Sequence, residues 1–170
     1  MLVFGIGLLP RSWALAMGRC LGRLLFRLLR ARAQVAVDNL KLIYGDRLEA
    51  AQRSKLARRN FAHIGAVAFE CLHVAARPRS LGRILRLEGR EHLDRALAQG
   101  RGVVAFSAHV GNFYLLGAAL CRAYPNFRWL FRDPSDPDVS AVYRWLLKRL
   151  GALVIADNPR NVCALSLIHI

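Results

Sequence analysis

Hydrophobic and polar positions change rhythm once along this chain, near residue 80. Before that point apolar and small residues recur at helical spacing: Leu48, Ala51 and Leu56, then Phe61, Ile64, Val67 and Phe69, with Arg and Lys between them. Recurrence every three or four residues predicts helices that bury one face. Gly45-Asp46 predicts a break between two helices, with Asp46 as N-cap of the second. Arg77-Pro78-Arg79-Ser80 predicts a turn.

From Ile84 onward short apolar runs alternate with longer helical patterns. Strands are expected at 84–87, 102–107, 127–131 and 152–155. Helices are expected at 90–99, closed by Gly100, at 111–124, closed by Pro125, and at 137–150, closed by Gly151. This alternation implies the α/β class: N-terminal helices followed by a mostly parallel sheet flanked by helices. The expected organisation is a helical region over 1–80 and an α/β region over 81–162. The pattern breaks just after a strand, at Asp157-Asn158-Pro159, so the chain reads as a piece of a longer one. Residues 163–170 have no recognisable role in this fold and read as a non-native tail.

Composition adds a partner class. The 170 residues are 55% hydrophobic, which excludes disorder, and 26 Lys and Arg face 11 acids for a net charge of +15. A folded domain so unbalanced repels itself unless it works against something anionic: nucleic acid, membrane headgroups or a phosphorylated substrate. Arg11, Arg19, Arg23, Arg27, Arg30 and Arg32 all precede the first acid, Asp38. On a helix Arg19, Arg23, Arg27 and Arg30 form one stripe. Leu21, Leu24, Leu25, Leu28 and Leu29 fall largely opposite, beside Phe26. That is the pattern of a helix lying in a membrane interface, or of a core helix with a solvated arginine face. The uncharged run at 2–9 favours the membrane. It is too short to span a bilayer, which takes about 20 apolar residues, and it lacks the flanks of a signal peptide. Cys20, Cys71, Cys121 and Cys163 are widely spaced, without a Cys-x-x-Cys pair. They read as reduced, mostly buried thiols facing the cytosol, not as a zinc site.

Candidate chemistry centres on His109, in Ser107-Ala108-His109-Val110-Gly111-Asn112-Phe113-Tyr114. In a parallel α/β sheet, catalytic groups lie beyond the carboxyl ends of strands, and His109 follows the expected 102–107 strand. An imidazole takes a proton near neutral pH. Gly111 lets a substrate approach the backbone, and the helix start behind it offers amide donors to an anion or oxyanion. From the residues alone, His109 either acts in this way or packs against that helix. Asn112 either caps the helix or contacts substrate. Arg132 ends an expected strand on the same sheet edge, where a guanidinium holds a lipid phosphate or a developing oxyanion. Arg149, on a helix before Gly151, reads as structural.

The segment around His109 resembles the first conserved block of the late lipid A acyltransferases: a histidine, then Gly-Asn, an aromatic, and an acid five residues after the histidine. The likeness covers residues 8 to 162. It takes in Arg32 to Asn39-Leu40, then Leu87-Glu88-Gly89-Arg90-Glu91-His92-Leu93 and Gly100-Arg101-Gly102-Val103-Val104. It ends with Phe131-Arg132-Asp133-Pro134 and Arg149-Leu150-Gly151. The resemblance implies an O-acyltransferase at the cytoplasmic face of the inner membrane. Its residues 1–80 would be the membrane-associated region and 81–162 the N-terminal part of the acyltransferase domain. An acyl-carrier-protein thioester would be the acyl donor and a hydroxyl of a lipid A precursor, or of a related glycolipid or phospholipid, the acceptor. His109 would be the base, and Gly111, Asn112 and Arg132 would bind substrate. It implies no cofactor and no metal, and as partners membrane lipids and acyl carrier protein.

One position departs from the family: Tyr114 stands where the acid belongs. In the serine-protease triad, loss of the corresponding carboxylate costs about 10⁴ in turnover. Tyrosine carries no negative charge at neutral pH. Three outcomes are open: a weakened enzyme, an acid from elsewhere such as Asp133 or Asp157, or a lipid-binding member that no longer catalyses. Two other classes fit less well. A nucleic-acid module would interleave aromatics with the basic residues, and Phe106, Phe113, Trp129 and Phe131 lie in apolar contexts instead. An esterase would show a Gly-x-Ser-x-Gly elbow, which is absent, leaving only Ser107 near His109. His63, Glu70 and His73 partly share a helix face and make no convincing metal set.

Overall fold

A computed structural model of the chain describes residues 2–131 and 134–156. It divides into two compact units, Met1–Ala76 and Arg77–Ile170.

The first unit is helical: α1 (Leu2–Leu8), α2 (Arg11–Leu28), α3 (Arg30–Tyr44) and α4 (Ala50–Ala76). The break expected at Gly45-Asp46 is present, because Gly45 takes a positive φ of 54° and a short 3-10 turn, Gly45–Arg47, follows. Asp46 is not an N-cap, since α4 starts at Ala50. The Gln52 side chain reaches back instead and accepts the Glu49 amide at 2.8 Å, the return half of a capping box.

Helix α2 packs on α4 through its small residues. Ala14, Gly18 and Gly22, spaced by four, are the buried positions of α2, and Ala57, Ala62 and Ala66 are buried on α4. A Cβ at Gly18 would overlap the Gly65 carbonyl, and one at Gly22 the Phe61 carbonyl. The two backbones therefore touch, which only glycine at these positions permits. Phe26 closes the end of the contact edge-on to Phe61, with centroids 5.4 Å apart. Leu21, Leu24 and Leu28 of α2 stay out of this interface and are 41%, 49% and 65% exposed. A leucine in the seam would hold the helices apart and forfeit the backbone contact.

At the other end of α4, Arg11 clamps the buried Glu70 carboxylate through Nε, at 2.8 Å, and Nη2. A buried carboxylate needs such a charged donor to offset its lost hydration. His73 Nδ1 donates to the Ile6 carbonyl at 3.2 Å and ties α1 to α4.

The second unit contains α5 (Leu81–Ile84), α6 (Arg90–Leu97), α7 (Phe113–Ala123), β1 (Trp129–Phe131), α8 (Pro137–Leu150) and β2 (Val154–Ala156). Strands β1 and β2 pair in parallel, with Trp129 opposite Val154 and Leu130 opposite Ile155, joined by the α8 crossover. Helix α8 begins where Asp136 accepts the Asp138 and Val139 amides, and it stops at Gly151, φ +79°. The core lies between α7 and α8: Leu115, Ala118, Ala119 and Cys121 against Leu147 and Leu150. The Cys121 thiol accepts the Leu153 amide at 3.2 Å, next to the point where Trp129 N–H donates to the Leu153 carbonyl. On α6, the Tyr124 hydroxyl donates to Asp94 at 2.7 Å, and the Arg90 guanidinium lies over the Tyr124 ring. The hydrogen bond to Tyr124 raises the pKa of Arg90.

The α/β expectation holds only loosely, because the described residues are mostly helical with this one two-stranded sheet. Two expected strands are absent. Residues 81–84 form a helical turn and 85–89 belong to no strand, while 102–107 is irregular, with Val104 70% and Phe106 95% exposed. An apolar run becomes a strand only beside a partner backbone, and among the described residues neither run has one. Cys71 and Cys121 are buried free thiols and Cys20 is an exposed one, so two of the three described cysteines are buried, in line with the expectation. Cys163 and the tail 163–170 lie outside the described residues.

Candidate active site

His109 sits on the irregular segment that enters α7. The Val110 amide donates to the Ala108 carbonyl at 2.8 Å, which makes His109 the central residue of a three-residue turn. No described non-glycine residue has positive φ, so this is the inverse γ form, common where a loop meets an element. The turn holds the imidazole out: His109 is exposed. Gly111 follows with φ +60°, a left-handed conformation that turns the chain into the helix and favours glycine.

Asn112 is the N-cap of α7. Its side-chain oxygen accepts the Leu115 amide at 3.3 Å, and its carbonyl accepts the same amide at 3.1 Å. Of the two roles open for Asn112, capping is the one the geometry displays. It fixes the helix start directly behind His109 and keeps positive dipole density there.

The imidazole lies edge-on to Phe113, with centroids 4.6 Å apart, and Phe113 stacks on Tyr114 at 4.2 Å. Trp129 on β1 meets both rings, at 6.0 Å from Phe113 and 6.1 Å from Tyr114. The indole rests on Gly117, where a Cβ would come within 2.6 Å of its ring. Tyr114 turns toward α8, and its hydroxyl shares a hydrogen bond with that of Tyr143 at 3.2 Å. Among the described residues no hydrogen bond reaches the His109 imidazole. The Tyr114 hydroxyl, at the position of the family acid, therefore makes no hydrogen bond to the imidazole. Ser107 Oγ donates to the Ala108 carbonyl at 3.5 Å and not to His109, which removes the geometric basis for a Ser107-His109 nucleophilic pair.

The structure thus brings His109, Gly111, Asn112 and Tyr114 together at one helix start. Arg132, Asp133 and Asp157 lie outside the described residues. Arg149 is half-buried on α8. Trp129 and Tyr143 were not singled out from the sequence as neighbours of this site. Gly117 within a helical pattern was a signal for the first; nothing local announces the second. Among the described residues no three His, Cys, Asp or Glu side chains cluster as metal ligands, and Glu70 and His73 are engaged by Arg11 and the Ile6 carbonyl.

An exposed imidazole before a capped helix start, backed by aromatic rings, can take a proton from a bound group and return it. The chain belongs to the bacterial lipid A biosynthesis acyltransferase family, whose model matches residues 1–162. Comparison with curated proteins and with solved structures gave no match.

Proposed function

We propose that this protein transfers a fatty acyl group from an acyl-carrier-protein thioester to a hydroxyl of a lipid A precursor, or of a related glycolipid or phospholipid. The transfer takes place at the cytoplasmic face of the inner membrane, without a cofactor or metal. The family assignment supports acyl transfer, and one observation carries the site: His109 stands exposed at the apex of the turn entering α7. In this reading His109 removes the acceptor's hydroxyl proton as its oxygen bonds to the thioester carbonyl carbon. The carbon–sulfur bond then breaks, and the imidazolium returns the proton to the departing thiolate. Gly111 lets the acyl carbonyl approach the backbone, and Arg132 binds acceptor phosphate. The α7 start favours the negative charge that develops on the carbonyl oxygen.

A second reading is a catalytically impaired family member that binds lipid without acyl transfer. It is favoured by Tyr114, whose hydroxyl is paired with Tyr143 while the imidazole has no described hydrogen bond. The purified protein, an acyl-carrier-protein thioester and a lipid A precursor separate the two. Thiol release that requires the acceptor, with an ester recovered on it, is the expected result. Release by Tyr114→Glu alone would establish the second reading, and no ester from either form would refute the first.

A further inference from the structure

We infer that Phe113 is the positioning residue of His109: its ring, braced by Tyr114 and Trp129, sets the orientation of the imidazole. The role in turnover rests on the transfer reading above, and the orientation itself rests on the ring geometry alone.

The chain reverses at Gly111, φ +60°, and Asn112 caps α7, so Phe113 is the first residue of the helix and its backbone is fixed. His109 stands four residues earlier on the turn, and the reversal sets its imidazole against the Phe113 ring, with centroids 4.6 Å apart and planes at 66°. Among the described residues no other ring meets the imidazole, and no hydrogen bond reaches it. Phe113 in turn has little freedom. Tyr114 lies against it at 4.2 Å with planes at 31°, and Trp129 stands nearly perpendicular to it at 6.0 Å. Each brace is anchored elsewhere in the unit. The Tyr114 hydroxyl is bonded to that of Tyr143 on α8, and the Trp129 indole, carried by β1, rests on Gly117.

An exposed imidazole on a turn otherwise exchanges among its staggered rotamers. An edge-on contact with a fixed aromatic ring favours one arrangement by about threefold to tenfold. A carboxylate does two things for a catalytic histidine: it orients the ring, and it stabilises the positive charge the ring acquires. A phenyl ring supplies the first and brings no negative charge. The departure at Tyr114 therefore removes the charge and leaves orientation to Phe113, with Tyr114 acting one ring further back.

The test compares the parent with Phe113→Leu, which keeps apolar bulk and a good helix former at the start of α7, and with Phe113→Tyr, which keeps the ring. Each protein gives kcat and KM for the lipid A precursor with acyl-carrier-protein thioester, and the imidazole Cε1–H signal of His109 in proton–carbon nuclear magnetic resonance. The chain has five histidines, and the signal missing from His109→Ala assigns it. In the parent, the Phe113 ring current should displace that signal from the position of free imidazole. Phe113→Leu should return it toward that position and lower kcat about threefold to tenfold. KM should stay unchanged, as for an interaction that matters in the transition state. Phe113→Tyr should keep the displaced signal and the parental kcat. An undisplaced signal in the parent would overturn the inference whatever the variants do. So would a displaced signal or a parental kcat retained by Phe113→Leu, or a loss in Phe113→Tyr equal to that in Phe113→Leu. If the parent forms no ester, the transfer reading fails alone, and the His109 signal still decides whether Phe113 positions the imidazole.

Discussion

The α2–α4 seam makes a prediction opposite in sign to ordinary helix propensity. Replacing a glycine by alanine inside a helix stabilises it by about 1 kcal/mol, through the lower entropy of the unfolded chain. At Gly22 the new methyl would overlap the Phe61 carbonyl oxygen and stand 2.7 Å from its carbon and 2.8 Å from Ala62 Cα, where ordinary contact begins at 3.4 Å. These are backbone atoms and cannot rotate away, so the helices must part locally by on the order of 1 Å. A gap of that size forfeits about a quarter to a half of the dispersion energy of the contacts it opens. Neighbouring Ala14, Gly18, Gly65 and Ala66 share the loss. Overpacking of this kind costs about 3 kcal/mol, the upper part of its usual range. The net for Gly22→Ala is then about 2 kcal/mol of destabilisation, or a melting temperature lower by about 4–8 °C for a chain of this size. Gly5, with nothing within 4 Å of an added Cβ, is the control, and Gly5→Ala should be neutral or slightly stabilising. Urea denaturation followed by far-ultraviolet circular dichroism measures both, with an unchanged slope showing that stability alone moved. A Gly22→Ala protein as stable as the parent, or more so, would refute the close-packed seam.

Two further expectations concern the site. Gly117→Ala should push the Trp129 indole off α7, costing about 1–3 kcal/mol and changing the near-ultraviolet dichroism of the aromatic cluster; an unaltered near-ultraviolet spectrum would contradict the packing. Asn112→Ala should cost about 1 kcal/mol as a lost cap, with Asn112→Asp restoring most of it. If Asn112→Asp restored no stability, the side chain would be more than a cap.

Much of this architecture was legible because it is written in local chemistry. Helix α8 runs over 137–150 as expected, because Asp136-Pro137 starts a helix and Gly151 ends one within a few residues of chain. The break at Gly45 was legible for the same reason. Asp46 misled because a capping residue is recognisable by type, whereas the helix that uses it begins wherever the backbone allows. The 102–107 run shows the limit for strands. Its apolar character is plain, but pairing is a property of a second backbone, and Val104 and Phe106 remain exposed. Helix α2 shows the limit for faces. Periodicity announced apolar and basic stripes, yet the stripe that packs is the unassuming Ala14, Gly18, Gly22 series, whose spacing of four was the available signal. At the site, the cap and the turn glycine could be read from Gly111-Asn112. The pairing of Tyr114 with Tyr143 joins positions 29 apart and has no local signature.

The central claim is that His109 performs acyl transfer, and the rate of ester formation by His109→Ala tests it most directly. The exposed ring contributes little to the core, so the variant should fold like the parent. With acyl-carrier-protein thioester and lipid A precursor at saturation, the account predicts a loss of at least about 10²-fold in turnover, the usual scale of general-base catalysis. A His109→Ala protein that forms ester at the parental rate would contradict it.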